Sequence, residues 1–208
     1  MEKKKFKLSL IQKEILFGVI LGDAHFETQN NEITYRIMFE QSVKHKPYID
    51  HLYEIFKTCV NTPPKSRVIT YKNGNTSTNV KFATVFSSTF TFFGKQFYKQ
   101  KKKIVPKLIH RWLTPRALAY WYMDDGSMKS IQSKGVLLNT QSFSYAEVVQ
   151  LCEVLKTKYN LSCWPRKQKK NTYQIYISGT SYETLRDLIY PFIIPEMRYK
   201  FPLPRKTS

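Results

Sequence analysis

The sequence predicts an α+β fold of two pseudo-symmetric halves, each running helix, two strands, helix, two strands, helix. Three observations lead there. Short segments recur in the same order about a hundred residues apart. Each half passes through the same succession of helical and strand-like periods. The polar registers of the strand-like stretches carry almost one charge sign, as expected of open faces on antiparallel sheets.

The repeat is read from pairs of segments. Phe39-Glu40-Gln41-Ser42 is echoed by Asn139-Thr140-Gln141-Ser142, and Leu52 to Thr58 by Leu151 to Thr157, with Asn61 and Asn160 following. Ile104-Val105-Pro106 resembles Ile193-Ile194-Pro195. Their shared order divides the chain into an N-terminal half over 1–103, a basic linker over 104–115 and a C-terminal half over 116–208.

In the first half, Leu10 to Gly22 is helical. Ile33, Tyr35, Ile37 and Phe39 then alternate with Thr34, Arg36, Met38 and Glu40, as in a half-buried strand. Lys46 to Lys57 is amphipathic, with Pro47 near its first turn, and Val80, Phe82 and Thr84 alternate with Lys81, Ala83 and Val85. Lys99 to Pro115 joins the halves. The second half gives a helix over Pro115 to Asp124, a strand over Gly135 to Ser142 and a helix over Tyr145 to Tyr159. Strands over Cys163 to Lys167 and Thr172 to Ser178 follow, then a helix over Tyr182 to Tyr190. Trp112, Trp121, Trp164 and the many Tyr and Phe are read as core.

The chain has 208 residues, 42% hydrophobic and 15% aromatic, enough for a real core. Lys and Arg number 34 against 15 Asp and Glu, a net charge of +19 that would be costly self-repulsion without a polyanion to neutralise it. Nucleic acid is the expected partner. Cys59, Cys152 and Cys163 have neither zinc-site spacing nor an even number, so structural zinc and disulfides are not expected and a reducing compartment is. No apolar run reaches the roughly 20 residues of a membrane span, and Met1 to Lys7 is too short and polar for a signal peptide. The protein is therefore expected to be intracellular. Richness in Lys, Tyr, Phe, Ile and Asn suggests an AT-rich coding genome, as in a mitochondrion or other organelle.

The basic candidates on the exposed registers and turns are Arg36, Lys65, Arg67, Lys72, Lys81, Lys129, Lys134, Arg166, Lys167, Lys169 and Lys170. Two such sheets, related by a pseudo-dyad, form a saddle that can follow the major groove of double-stranded DNA. Gln41, Asn139, Gln141, Gln174 and Ser178, set among the positive residues, are candidates for reading base edges.

Two of the helices end in an acid followed by a small residue, Gly22-Asp23-Ala24 and Asp124-Asp125-Gly126. A carboxylate at a helix C-terminus meets partial negative charge and unpaired carbonyls, a local cost of about 0.3 to 1 kcal/mol. A cation reverses the sign. If the helices pack side by side, two carboxylates and two terminal carbonyls form an all-oxygen site of the kind Mg²⁺ prefers, suited to phosphodiester hydrolysis. Gly18 and Gly22 allow close packing on the first helix, and Ala119 and Gly126 offer less on the second. Asp-Gly is also a common helix-ending turn, so either site alone reads as turn chemistry; their recurrence in a repeat carries the inference. His25 is the histidine nearest the acids; His45, His51 and His110 form no pattern.

At these residues the sequence resembles the LAGLIDADG homing endonucleases. Leu16 to Ala24 and Leu118 to Gly126 both align with the nine-residue motif, with Asp23 and Asp125 at its last acidic position. The resemblance runs from about Leu10 to Pro202 and is to the single-chain, two-motif subgroup. It implies αββαββα halves and cleavage of a long, asymmetric DNA site with short 3′ overhangs, promoting intron mobility. Asp23 and Asp125 would hold the metals with the carbonyls of Gly22 and Asp124, with Mn²⁺ able to replace Mg²⁺ and Ca²⁺ supporting binding without cleavage. A basic residue near each acid would fall on Lys103 and Lys200, as a catalytic group or as a phosphate contact. Phe17 and Tyr120 replace small motif residues, which implies an asymmetric helix interface. One chain with both motifs implies a monomer. Relatives of this type also act as maturases on intron RNA, and that alternative stays open; a regulator with a dead site would be expected to lack one of the acids.

Overall fold

The computed structural model describes residues 6–201 except 72 and 131. Its elements repeat. The first half comprises α1 (Leu10–Leu21), β1 (His25–Thr28), β2 (Tyr35–Ser42), α2 (Lys46–Phe56), β3 (Lys65–Thr70), β4 (Thr76–Ala83) and α3 (Thr91–Phe97). A two-residue ribbon, β5 (Tyr98–Lys99) and β6 (Lys102–Lys103), leads through α4 (Ile109–Trp112) into the second half. There α5 (Pro115–Asp125), β7 (Gly126–Ser130), β8 (Ser133–Leu138), α6 (Tyr145–Tyr159), β9 (Cys163–Lys169), β10 (Thr172–Ile177) and α7 (Tyr182–Ile189) follow, and a 3-10 turn over Pro195–Lys200 closes the described chain.

The two four-stranded sheets have the same antiparallel order, β1-β2-β4-β3 and β7-β8-β10-β9. Their core-facing rows are apolar: Phe39 opposite Phe82 in one sheet, and Ile177 opposite Val136 and Cys163 in the other. Alternation then sends the intervening residues to the open face.

Local sequence sets the helix starts. Ser9 and Gln12 form a reciprocal capping box on α1, as do Ser144 and Glu147 on α6, while Thr114 caps α5 ahead of Pro115. Asn160, left-handed at φ 53°, closes α6. All seven residues from Ile15 to Leu21 are buried, so the end of α1 is enclosed on every side and lies at the centre of the molecule.

The partner of α1 there is α5, similarly buried from Ala117 to Met123. A Cβ on Gly18 would strike the Ala117 carbonyl and lie 2.9 Å from Tyr120 Cβ, so the glycine permits close backbone approach. Ala117, rather than Ala119, supplies the facing small residue; Gly126 fits instead against Tyr122 of its own half. Phe17, one of the two bulky motif residues, stacks on Trp112 at 4.8 Å, and Tyr120 hydrogen-bonds His51 of α2 at 2.6 Å. These contacts make the interface asymmetric.

The linker is docked. Glu147 accepts the Val105 amide at 2.9 Å, Gln150 donates to the Pro106 carbonyl and Lys158 to that of His110, all from α6. Of the three tryptophans, Trp121 is fully buried and Trp112 partly so, but Trp164 is 46% exposed. It is not core: its register on β9 opposes Tyr176 on the open face of the second sheet.

Candidate functional site at the paired helix ends

The close approach of α1 and α5 brings three carboxylates together. Gly22 ends α1 against the Asp124 carboxylate, which occupies the space a side chain at Gly22 would need. Asp124 Oδ2 accepts the Asp23 amide at 3.2 Å. Asp23 itself is exposed, and its Oδ2 accepts from Gln41 Nε2 at 2.6 Å. Asp125 Oδ2 accepts from Trp121 Nε1, one helical turn back, at 3.0 Å. Both donors are neutral, so they position the acids without cancelling their charge.

Burial raises the Asp125 pKa to about 7, with the Asp23 charge adding to it and Trp121, Lys103 and Lys200 opposing. Burial, then Asp23 and Asp125, hold Asp124 well above the usual carboxylate range. The buried Tyr48 hydroxyl beside Asp124 is also pushed up, by burial first and by that acid second. Carboxylates crowded together among oxygen donors are what a hard divalent cation relieves, so the residues fit such an ion. Among the described residues no cluster of three or more His, Cys, Asp and Glu side chains has metal-binding geometry. Carbonyl or phosphate oxygens would have to complete the shell.

The predicted lysines converge on the same place. Lys103 Nζ donates to the carbonyls of Gly22 and Ala24, each at 2.9 Å, and Lys200 Nζ donates to those of Asp124, at 2.8 Å, and Met123. Each lysine thus caps the motif helix of its own half, where the helix dipole favours a cation. Burial lowers both lysine pKa values against the pull of the nearby acids. The Gly22 and Asp124 carbonyls, expected as metal ligands, are engaged by these ammonium groups; a carbonyl oxygen has a second lone pair to offer.

Gln41 was expected to read bases, but its amide is on Asp23. The strand registers explain why Gln141 does not mirror it. His25 opposes Met38, and Ser127 opposes Leu137, so β2 and β8 are equivalent at an offset of 99. Gln41 therefore matches Thr140, whose hydroxyl donates to the Tyr173 carbonyl at 2.9 Å, and the Gln/Gln echo in the sequence is one residue out of register. Gln141 instead donates to Asn139 and Gln168.

The basic sheet surface is real but has embedded acids. On the first sheet, Lys65 opposes Lys81 on the open face, Arg36 is paired to Glu27 at 2.6 Å, and Arg67 makes a two-pronged bond to Glu40 at 3.0 and 3.2 Å. On the second, Arg166 opposes Gln174, which donates to Asn139 at 2.6 Å, and Lys129 lies over the Tyr176 ring. Lys169 and Lys170 are exposed at the β9–β10 turn. Three candidates are placed elsewhere. Lys134 pairs with Glu183 of α7 at 2.8 Å, off the open face. Lys167 opposes Tyr173, which packs on Tyr145 of α6 and so marks the helix side. The Ser178 hydroxyl accepts from the Thr180 amide and caps a 3-10 turn. Lys72 lies outside the described residues.

Sequence reasoning missed Glu27 and Glu40, although alternation put Glu40 on the polar face. The histidines are connected too: His25 is 3.7 Å from Glu27, and His45 stacks over Tyr199. No described helix is long and apolar enough to cross a membrane.

Residues 13–185 match the model of the LAGLIDADG DNA endonuclease family. The chain belongs to this family. Among LAGLIDADG relatives, a protein named Probable intron-encoded endonuclease 1 from Wickerhamomyces canadensis is 37% identical over 204 residues, covering 96% of this chain and 87% of its own length. Cytochrome b mRNA maturase bI2 of Debaryomyces hansenii is 33% identical over 191 residues, covering 90% and 72%. The solved structure of the homing endonuclease I-WcaI bound to its DNA recognition sequence superposes with a TM-score of 0.88 at 35% identity, over 94% of this chain and 88% of that one. The fold is that of the LAGLIDADG homing endonucleases, and the chain is a DNA-binding hydrolase of this class.

Proposed function

We propose that the chain is a monomeric, Mg²⁺-dependent endonuclease that cuts both strands of a long, asymmetric DNA site, leaving short 3′ overhangs and so promoting intron mobility. The observation that carries this reading is the pair of positioned carboxylates, Asp23 and Asp125, where two four-stranded sheets meet through α1 and α5. The two halves, over 1–103 and 116–208, each offer one sheet to one half-site, and a single chain therefore suffices.

Asp23 and Asp125, with the Gly22 and Asp124 carbonyls, would hold the divalent ions. When bound, such ions lower the pKa of water and neutralise charge on the phosphate. The chain's own part would be to fix the acids through Gln41 and Trp121, to hold Asp125 half-buried, and to bring Lys103 and Lys200 close to where a phosphate oxygen would lie. I-DmoI, a neighbour sharing only the fold at 14% identity, is described in complex with DNA and Ca, and a variant of it with target DNA and Mn; the choice of Mg²⁺ rests on the all-oxygen donors here. Organellar placement is supported by relatives named for cytochrome b mRNA.

Incubation with a library of duplexes and Mg²⁺, followed by sequencing of the cut ends, tests the reading; no cut in any duplex overturns it. A second reading, maturase action on intron RNA, is favoured by the 33%-identical maturase. A splicing assay with Asp23→Asn and Asp125→Asn separates the two, since only cleavage depends on the acids.

A further inference from the structure

The two open faces differ in chemistry at matched positions. In the first sheet the row His25, Met38, Ala83 crosses three strands, followed by Glu40, Lys81, Lys65. The equivalent rows of the second sheet are Ser127, Leu137, Tyr176, Trp164 and Asn139, Gln174, Arg166. An aromatic pair therefore replaces Ala83 and its neighbour.

Trp164 meets Tyr176 edge-on at 4.9 Å and 65°, and it stays 46% exposed. The Tyr176 ring lies across Gly135, where any side chain would collide with its hydroxyl end, so the missing Cβ lets the ring lie along the sheet. Lys129 Nζ caps the same ring at 5.2 Å. Leu137 completes the row at 8% exposure. An exposed tryptophan on a strand invites association unless it has a partner. On a face otherwise built of Arg166, Gln174, Asn139 and Lys129, the partner with both phosphate oxygens and an apolar projection is DNA displaying thymine methyl groups in its major groove.

We propose that the Trp164–Tyr176 pair, backed by the buried Leu137, makes the second sheet a reader of thymine 5-methyl groups, so that the half-site under the C-terminal half is the thymine-dependent one. This rests on the DNA-binding reading of the sheets. It commits the side chains to apolar contact with base edges; intercalation between bases is not involved. Lys129 would meet the adjacent phosphate.

The test replaces thymine by deoxyuridine, which removes only the methyl. Targets are first selected by binding from a randomised duplex library in EDTA buffer; failure to select any duplex overturns the DNA-binding reading itself. Selected duplexes are then scanned one thymine at a time. The proposal expects sensitive thymines clustered in one half-site, each losing about fourfold in affinity, the worth of one buried methyl. In Trp164→Gln these losses shrink toward one, while uridine effects elsewhere persist. Trp164 is exposed, so this variant is expected to fold; Tyr176→Thr gives a second reading of the same row. Selected sites without thymine in either half, uniform sensitivity across both halves, or unchanged sensitivity in Trp164→Gln each overturn the proposal.

Discussion

Gly22 and Asp124 hold equivalent places in the two motif helices, and they are complementary: the Asp124 carboxylate fills the volume that Gly22 leaves open, and its Oδ2 takes the Asp23 amide at 3.2 Å. The half-buried acid of one half thereby orients the exposed acid of the other.

Gly22→Ala is expected to push these groups apart. Overpacking at such a contact costs about 1 to 3 kcal/mol, and cleavage should fall further as Asp23 moves. Urea unfolding followed by a plasmid cleavage assay checks both, and a variant with the wild-type midpoint contradicts the close approach.

Much of this was legible beforehand. The αββαββα halves follow from the order of periods, and helix α6 appears over the predicted Tyr145 to Tyr159 because a capping serine and a left-handed asparagine bound it. Asp23 and Asp125 stand out because motif and repeat agree, whereas Lys103 and Lys200 are reached only through the family resemblance. Side-chain destinations were less legible. Gln41 and Gln141 look equivalent in sequence, yet a one-residue register difference sends one to an acid and the other along the sheet. Lys134 and Lys167 are as basic as Arg166, and only the strand pairing tells which side each takes. Strand spacing alone cannot distinguish a wet aromatic from a dry one, which is why the core expectation fails at Trp164.

The raised Asp125 pKa gives a pH signature for the metal-free protein. Its folded value of about 7 lies above the ordinary 3.8, so ionisation costs folding energy. That cost is absent below the unfolded pKa, grows as pH rises toward 7 and is fully present above it, on the order of a few kcal/mol. In EDTA, Asp125→Asn should therefore melt higher than wild type at pH 8, and the gap should narrow as pH falls, closing only below the ordinary carboxylate value of 3.8. A gap independent of pH contradicts the buried, charged acid.

Lys103→Met and Lys200→Met remove a cation from carbonyls at the end of a motif helix. Each should lower stability by about 1 to 3 kcal/mol through unpaired carbonyls and reduce the cleavage rate more than DNA affinity. If single-turnover rates hold while affinity and salt dependence fall, the lysines are phosphate contacts only.

Binding should weaken with salt by about 0.9 in log K per decade for each phosphate neutralised. Arg166→Gln, on the open face, should reduce that slope by about one contact. Lys134→Gln should leave it unchanged, because Lys134 is paired to Glu183 beside α7. Fluorescence titrations across salt concentrations decide this, and equal effects from the two variants would contradict the assignment of faces.

The central claim is that Asp23 and Asp125 are the acids of cleavage. The most direct measurement is Mg²⁺-dependent cutting of a selected target by Asp23→Asn and Asp125→Asn, with thermal melting and DNA affinity in EDTA measured on the same preparations. The account predicts variants that are folded, bind DNA as tightly as wild type or more tightly, and no longer cut both strands. Full double-strand cleavage by either folded variant contradicts it.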